Sequence, residues 1–188
     1  MIMKEDIKIP ETLTQFLFHQ PLDENESISD NELIEVLPYG LSVGPEMGQS
    51  ILILKAVKQD LTLPIPVNPL EAGITLAQSN KTIAPVSPHK ATAALFKALG
   101  MTIEKCVFVE IKNSHQYVKL FITGHPEVRS LKVKAEDVLS LCLYLEVPLY
   151  STREFIARSR VMVAEIDEQR RELMSNPAIA SKKHLYMN

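Results

Sequence analysis

Alternating apolar and polar residues predict two β-hairpins in this chain, each followed by a helix. The first hairpin spans residues 50–57 and 61–67, and a helix over residues 70–78 follows it. The second spans residues 117–123 and 130–134, and an almost wholly apolar helix then runs on until a proline stops it. Because only one face of each strand is apolar, each hairpin should pack one side on a core.

A shift of 66 residues aligns the two units without a gap and places Asp137 on Glu71. The match indicates either an internal duplication or two common supersecondary units under the same packing constraints. Either origin predicts an α+β fold in which helices pack on a mainly antiparallel sheet.

Prolines within two of the predicted strands indicate edge positions, because proline has no backbone N–H to donate to a neighbour. Pro38 interrupts an apolar run over residues 33–43, which is therefore predicted to be an edge strand. Pro64 and Pro66 share one face of the 61–67 strand and predict an edge or a bulge there.

The two remaining helices are predicted from the residues that favour a helix start. Ser87 and Pro88 predict the start of a helix, and a strand over residues 101–112 follows that helix. The spacing of Ser151 and Glu154 predicts a capping box at the start of the last helix.

Composition predicts a central domain with two flanking segments. With 188 residues, 46% of them hydrophobic, the chain is long and apolar enough to bury one substantial core. Residues 1–32 are predicted to be a weakly ordered N-terminal arm, because acidic and turn-favouring residues dominate its end. Residues 33–150 form the predicted α+β domain, and residues 151–188 form an amphipathic helix with a frayed tail.

Charge, cysteine content and hydropathy narrow the classes of partner. The net charge is −3, but residues 1–100 carry −5 and residues 101–188 carry +2, so a polyanion would meet the second half. Cys106 and Cys142 have no cysteine or histidine at metal spacing, which favours buried free thiols. A cytoplasmic protein without a membrane partner is expected, because no apolar run is long enough to span a bilayer. With six glycines in total, no phosphate-cradling loop is recognised and no organic cofactor is expected.

Residues 48–162 resemble the bifunctional nuclease (BFN) domain family, over about three fifths of the chain. The resemblance rests on the order and spacing of five stretches, SILILKAV, LTLPIPVNPLEAGITLA, PVSPHKATAALFKALG, KCVFVEIKN and LKVKAEDVLSLCLYLEVPLYST. What it implies is an α+β fold, self-association into homo-oligomers, and cleavage of DNA or RNA without sequence preference, as in some members of the family.

The chain departs from the family pattern at two motifs. Where the family usually has His-Asp-Leu, this sequence has His89, Lys90 and Ala91, so the histidine is kept and a base replaces the acid. Where the family usually has Arg-Pro-Ser-Asp, residues 134–137 read Lys-Ala-Glu-Asp, so a cation and the final acid are kept. Glu71 matches the acid that starts the earlier helix. The loss of the acid beside His89 weakens the case for an inherited catalytic role there.

Three acids are the candidate metal ligands for the implied nuclease activity. Glu71, Glu136 and Asp137 are predicted to hold Mg²⁺ or Mn²⁺, which would activate water and stabilise the leaving oxyanion. Glu71 and Asp137 are also the candidate catalytic acids, and His89 is the candidate general base because imidazole titrates near neutral pH. The alternative is structural, since acids in the first turn of a helix stabilise its dipole by about 0.3–1 kcal/mol and a first-turn histidine is often merely partly exposed.

Lys119, Lys132 and Lys134 are predicted to share the outer face of the second hairpin. With Tyr117 and Phe121 on the same face, these lysines would bind the phosphates and bases of DNA or RNA. Lysines on a wet sheet face also keep a sheet soluble or protect its edge, and the same face would suit a subunit interface.

Two functions therefore stay open. The first is a divalent-metal-dependent nuclease without sequence preference. The second is a non-catalytic, oligomeric binding or regulatory module that uses the fold as a scaffold. Clustering of Glu71, Glu136 and Asp137 in space would favour the first, whereas separate or capping positions would favour the second.

Overall fold

The computed structural model describes residues 32–42, 50–79 and 87–175. Within these ranges the elements are, in chain order, β1 Ile34–Ser42, β2 Ser50–Ala56, β3 Thr62–Val67, α1 Pro69–Ser79, α2 His89–Ala98, β4 Thr102–Lys112, β5 His115–Thr123, β6 Ser130–Lys134, α3 Ala135–Tyr144, β7 Leu149–Ser151 and α4 Arg153–Ser175. The predicted N-terminal arm lies outside the described residues except for Glu32, and the predicted tail beyond residue 175 lies outside them entirely.

The strands of the described ranges form one seven-stranded sheet in the order β3-β2-β1-β7-β4-β5-β6. Neighbouring strands are antiparallel except for β4 and β7, which run parallel. The predicted α+β fold with a mainly antiparallel sheet is confirmed.

The two predicted units of hairpin and helix occupy opposite ends of this sheet. β2 and β3 pair at one edge and lead into α1, whereas β5 and β6 pair at the other edge and lead into α3. The registers of the two hairpins differ, because Leu54 pairs with Leu63 but Leu120 pairs with Leu131, two residues beyond the position that the 66-residue shift predicts. A displacement of two residues keeps the same side chains on the inner face. A common origin of the units stays a prediction.

The position of β1 shows that the prediction of an edge strand over residues 33–43 is wrong. β1 lies inside the sheet, between β2 and β7. Its register with β2 shifts between Pro38 and Gly40, so Tyr39 forms a bulge. In the described structure β7 pairs with residues 34–36 of β1. Pro38 therefore lies beyond the end of that ladder, where its missing N–H is not needed.

β7 is a strand that the sequence pattern does not predict. It has three residues and follows Pro148 directly, so it is too short to show a two-residue period. It pairs antiparallel with β1 and parallel with β4. This short strand therefore joins the two halves of the sheet.

Gln116 links two distant strands of the sheet. Its Nε2 donates to the carbonyl oxygen of Pro64 at 3.0 Å, although four strands separate β3 from β5 in the sheet order. The sheet must therefore curl to bring these strands together. β3 is the edge strand that Pro64 and Pro66 predict, and the Gln116 amide satisfies one of the carbonyl groups that an edge would leave unpaired.

Helices α3 and α4 complete the hydrophobic core. The buried residues of α3 are Ala135, Val138, Leu139, Ser140 and Cys142. In α4, Phe155 packs on Phe108 of β4 with their ring centroids 5.5 Å apart. Full burial of such a side chain stabilises the fold by about 1.5–3 kcal/mol.

The start of α4 differs by one residue from the predicted capping box. The Thr152 hydroxyl accepts the backbone N–H of Phe155 at 3.1 Å, so Thr152 caps the helix. Ser151 is instead the last residue of β7 and is fully buried. The predicted pair of Ser151 and Glu154 is wrong because the short strand takes up Ser151 before the helix begins.

Candidate functional site

Side chains from three helices meet at the hydroxyl of Ser140 on α3. The Ser140 hydroxyl donates to Oε2 of Glu71 from α1, and Nε2 of His89 from α2 lies 2.8 Å from Ser140 Oγ. Glu71 and His89 are two of the three predicted catalytic residues. The structure brings them together through a residue that the sequence does not single out as functional.

The start of α1 fixes the position of Glu71. Asn68 Oδ1 accepts the backbone N–H of Glu71 at 2.9 Å, the contact that an N-cap residue makes with the third residue of its helix. An acid at this position often turns back to the start of its own helix. The half-buried Glu71 carboxylate bonds Ser140 instead. Stabilising the helix dipole is therefore not its whole role.

The start of α2 fixes the position of His89. Ser87 Oγ accepts the backbone N–H of His89 at 3.2 Å, as expected for the predicted Ser-Pro helix start. The imidazole ring lies at 51° to the ring of Tyr144, with the centroids 6.1 Å apart. The contacts with Ser140 and Tyr144 together restrict the orientation of the imidazole.

Ser140 is 1% exposed, so its hydroxyl needs partners inside the protein. Glu71 and His89 supply them. In a Ser-His-Asp triad the histidine stands between the serine and the acid, whereas here the serine stands in the middle and is shielded from solvent. The arrangement therefore supports acid–base chemistry at His89 and not nucleophilic attack by Ser140.

Glu136 and Asp137 lie one turn before Ser140 on α3, in different surroundings. Oε1 of Glu136 lies 2.9 Å from Nδ1 of His115 and 3.9 Å from Nζ of Lys134. Asp137 is exposed. Within the part of the chain that the structure describes, no three His, Cys, Asp or Glu side chains form a group that could hold a metal ion. The metal site that joins Glu136 and Asp137 to Glu71 stays a prediction.

The predicted lysines lie on the paired strands β5 and β6. Lys119 is directly opposite Lys132 in the ladder. Nζ of Lys132 lies 2.7 Å from Oε2 of Glu110, and Nζ of Lys134 approaches an acid of α3 at 3.9 Å. Acids therefore neutralise part of the charge that the sequence assigns to this face.

Phe121 on the same face is covered by lysines. Nζ of Lys119 lies 5.8 Å from the centroid of the Phe121 ring, and Nζ of Lys105 from β4 lies 4.9 Å from it. Such cation–π contacts contribute about 0.5–1 kcal/mol at exposed sites. A nucleobase that stacks on Phe121 would have to displace one of these ammonium groups.

The sequence does not predict the polar contacts of Ser140 and His115. Ser140 interrupts the apolar run of α3, and a buried hydroxyl in such a run signals a partner elsewhere. The sequence cannot name that partner, because 69 residues separate Ser140 from Glu71. His115 has the sequence context of a turn residue, yet its Nδ1 meets Glu136.

The α+β fold thus carries an acid–hydroxyl–imidazole cluster, whose groups suit acid–base chemistry, and a lysine-bearing sheet face, whose groups suit an anionic ligand. The family model of the bifunctional nuclease domain matches residues 52–164, more than half of the chain. The chain belongs to this family, and the resemblance seen in the sequence is confirmed.

No curated protein gives a significant match to the chain. Among the residues that the structure describes, no helix is both long enough and apolar enough to cross a membrane.

Proposed function

We propose that this chain is a nuclease that hydrolyses phosphodiester bonds of DNA or RNA without sequence preference. The observation that supports the proposal is the joining of Glu71 and His89 through Ser140 in a member of the BFN family. A half-buried imidazole that is joined to a carboxylate through a hydroxyl is suited to moving a proton.

His89 is the acid–base residue of this proposal. Its imidazole takes a proton from the attacking water or returns one to the leaving oxygen, and Glu71 stabilises the imidazolium through the Ser140 hydroxyl. Lys90 stands where the family usually has an acid, and its side chain is exposed. A cation beside His89 would attract the phosphate group to the imidazole.

Mg²⁺ or Mn²⁺ is the metal ion of this proposal. Mg²⁺ is usually held by one or two carboxylates together with water and substrate phosphates, so three protein carboxylates are not required. Glu71 and Asp137 are the residues that would hold it, because Glu71 contacts Ser140 and Asp137 lies one helical turn before Ser140. The ion would supply neutralisation of the phosphate charge.

The lysine face of β5 and β6 is the proposed binding surface for the nucleic-acid backbone. Lys119 contacts the Phe121 ring, whereas Lys132 is paired with Glu110. Phosphate groups would compete with Glu110 for Lys132. Binding should therefore be weaker than three unpaired lysines would give.

Cleavage assays on the purified chain test this function. Single- and double-stranded DNA and RNA are incubated with Mg²⁺ or Mn²⁺, and then with EDTA. We expect metal-dependent cleavage that His89→Gln and Glu71→Gln each slow by about 100-fold, whereas Glu127→Gln, at an exposed acid away from the cluster, leaves the rate unchanged. Absence of cleavage by the wild-type chain rejects the nuclease function, and equal rates in all variants reject His89 and Glu71 as its catalytic residues.

A non-catalytic oligomeric module is the second candidate, and the surface of α2 favours it. Leu95 is 59% exposed and Leu99, which follows this helix, is 60% exposed. Exposed leucines one turn apart suit contact with a second copy of the chain. Sedimentation velocity should show an oligomer that Leu95→Glu with Leu99→Glu dissociates. A monomeric wild-type chain rejects the module.

A further inference from the structure

The hydrogen bonds of Ser140 determine which nitrogen of His89 carries a proton. We propose that Ser140 is a positioning residue that holds neutral His89 in the Nε2–H tautomer, so that Nδ1 is the nitrogen that accepts protons in catalysis. The catalytic part of this inference rests on the proposed nuclease function, whereas the tautomer is a property of the free protein.

The single proton of the Ser140 hydroxyl is the basis of the inference. Ser140 donates that proton to Oε2 of Glu71, and a hydroxyl has no second proton to give. The contact between Ser140 Oγ and His89 Nε2 at 2.8 Å must then have the imidazole as its donor. A neutral imidazole with its proton on Nε2 has its lone pair on Nδ1.

Burial of the Ser140 hydroxyl favours the Nε2–H tautomer of His89 over the other. Ser140 is 1% exposed, so water does not compete for its hydroxyl. The position of Glu71, which accepts the Ser140 hydroxyl proton, is fixed as well, because Asn68 Oδ1 accepts the backbone N–H of Glu71 at 2.9 Å. The opposite hydroxyl orientation would leave the half-buried Glu71 carboxylate without this donor.

The Tyr144 ring restricts the imidazole further. The centroids of the Tyr144 and His89 rings lie 6.1 Å apart in a tilted arrangement. Tyr144 and Ser140, which bonds His89 Nε2, lie one turn apart on α3. Rotation of the imidazole by 180° about its Cβ–Cγ bond would place the carbon Cε1 where Nε2 lies and would break the bond to Ser140. The same helix therefore fixes both the tautomer and the orientation of His89.

Nuclear magnetic resonance of the full chain with isotope-labelled histidine tests the inference directly. The nitrogen chemical shifts of His89 are assigned by their loss in His89→Gln and are read without substrate. In the wild-type chain at a pH where His89 is neutral, we expect a protonated Nε2 and an unprotonated Nδ1. Ser140→Ala should give an averaged mixture of tautomers, and Glu71→Gln should raise the Nδ1–H population because the glutamine amide can donate to Ser140.

Ser140→Thr is the matched variant, because it keeps the hydroxyl and should keep the Nε2–H tautomer. Amide spectra confirm that each variant is folded. In cleavage assays Ser140→Ala should lower kcat by about 10- to 100-fold with little change in KM, and Ser140→Thr should restore it. An Nδ1–H tautomer in the wild-type chain, or a tautomer unchanged by Ser140→Ala, overturns the inference. Failure of cleavage with the expected tautomers rejects the nuclease function alone.

Discussion

Nε2 of His89 and Oγ of Ser140 lie 2.8 Å apart although 51 residues separate them in the sequence. This contact joins α2 to α3. None of the residues of α2 is fully buried, and Phe96 is partly buried against the core. The attachment of α2 therefore depends strongly on the histidine of the candidate site.

Amide hydrogen exchange should show that α2 opens more easily than α3. Elements with few buried contacts exchange through local opening at low free energy, and α3 has five buried residues. Removing the imidazole with His89→Ala should speed exchange in α2 by roughly 5- to 10-fold, since a hydrogen bond contributes about 1 kcal/mol. Lys90→Ala, at an exposed residue of the same helix, should leave the exchange rate of α2 unchanged. Exchange in α2 as slow as in α3 would contradict this prediction.

Gly124→Ala should destabilise the fold. Gly124 has a φ of +86°, and a Cβ there would overlap the carbonyl oxygen of Gly100. The left-handed conformation alone costs an L-residue about 1–2 kcal/mol, and the overlap adds to that cost. Urea unfolding should give a lower midpoint for this variant.

Gly73→Ala is the control for that substitution, because a Cβ at Gly73 in α1 has no atom within 4 Å. Alanine in a helix interior should stabilise the fold by about 0.5–1 kcal/mol relative to glycine. A shift of both variants in the same direction would contradict the close approach of Gly124 to Gly100.

Nucleic-acid binding should respond to the ion pairs of the lysine face. Glu110→Gln releases Lys132 from its partner at 2.7 Å and should tighten binding to a single-stranded oligonucleotide. Lys119→Ala should weaken binding and reduce the slope of log affinity against log salt by about 0.7. Fluorescence anisotropy over a salt series measures both effects, with Lys58→Ala in the β2–β3 connection as the control. Unchanged affinity in Glu110→Gln and Lys119→Ala would exclude this face as the binding surface.

Stability should fall at alkaline pH because of Cys106. A hydrogen bond with Cys142 and then burial raise the pKa of the Cys106 thiol well above its ordinary value. Below about pH 8.5 the thiol is protonated in both states; at higher pH the unfolded chain releases a proton that the folded chain keeps. The free energy of unfolding should therefore drop by up to about 1.4 kcal/mol per pH unit above that point.

Cys106→Ala is the comparison for the alkaline effect. It should be less stable than the wild-type chain at neutral pH, because it removes a buried side chain. Its further loss of stability between about pH 8.5 and pH 10 should be smaller, since the thiol is gone. Parallel losses in the two proteins would show that Cys106 does not cause the decline.

The elements whose own residues show a regular pattern of apolar and polar positions could be predicted from the sequence. The two hairpins and the apolar α3 show alternation or a long apolar run, and their order is confirmed. The place of β1 could not be predicted, because Pro38 is tolerated inside the sheet only through a bulge and the shortness of β7. β7 itself has too few residues to show any period.

The candidate site could be predicted in part. Glu71 and His89 were recognisable through the family resemblance, and helix-start chemistry explains why they stand at the beginnings of α1 and α2. The contact that joins them depends on how both helices pack on α3, which no local pattern contains. Ser140 was visible only as a polar residue in an apolar run.

In the proposed nuclease, Glu71 and His89 act as one acid–base unit in phosphodiester hydrolysis. The most direct measurement is the cleavage rate of the wild-type chain, Glu71→Gln, His89→Gln and the double variant under one set of conditions. If the residues act together, the double variant should be about as slow as the slower single variant, because coupled residues are not additive. Rate losses that multiply in the double variant, or no cleavage by the wild-type chain, would contradict the claim.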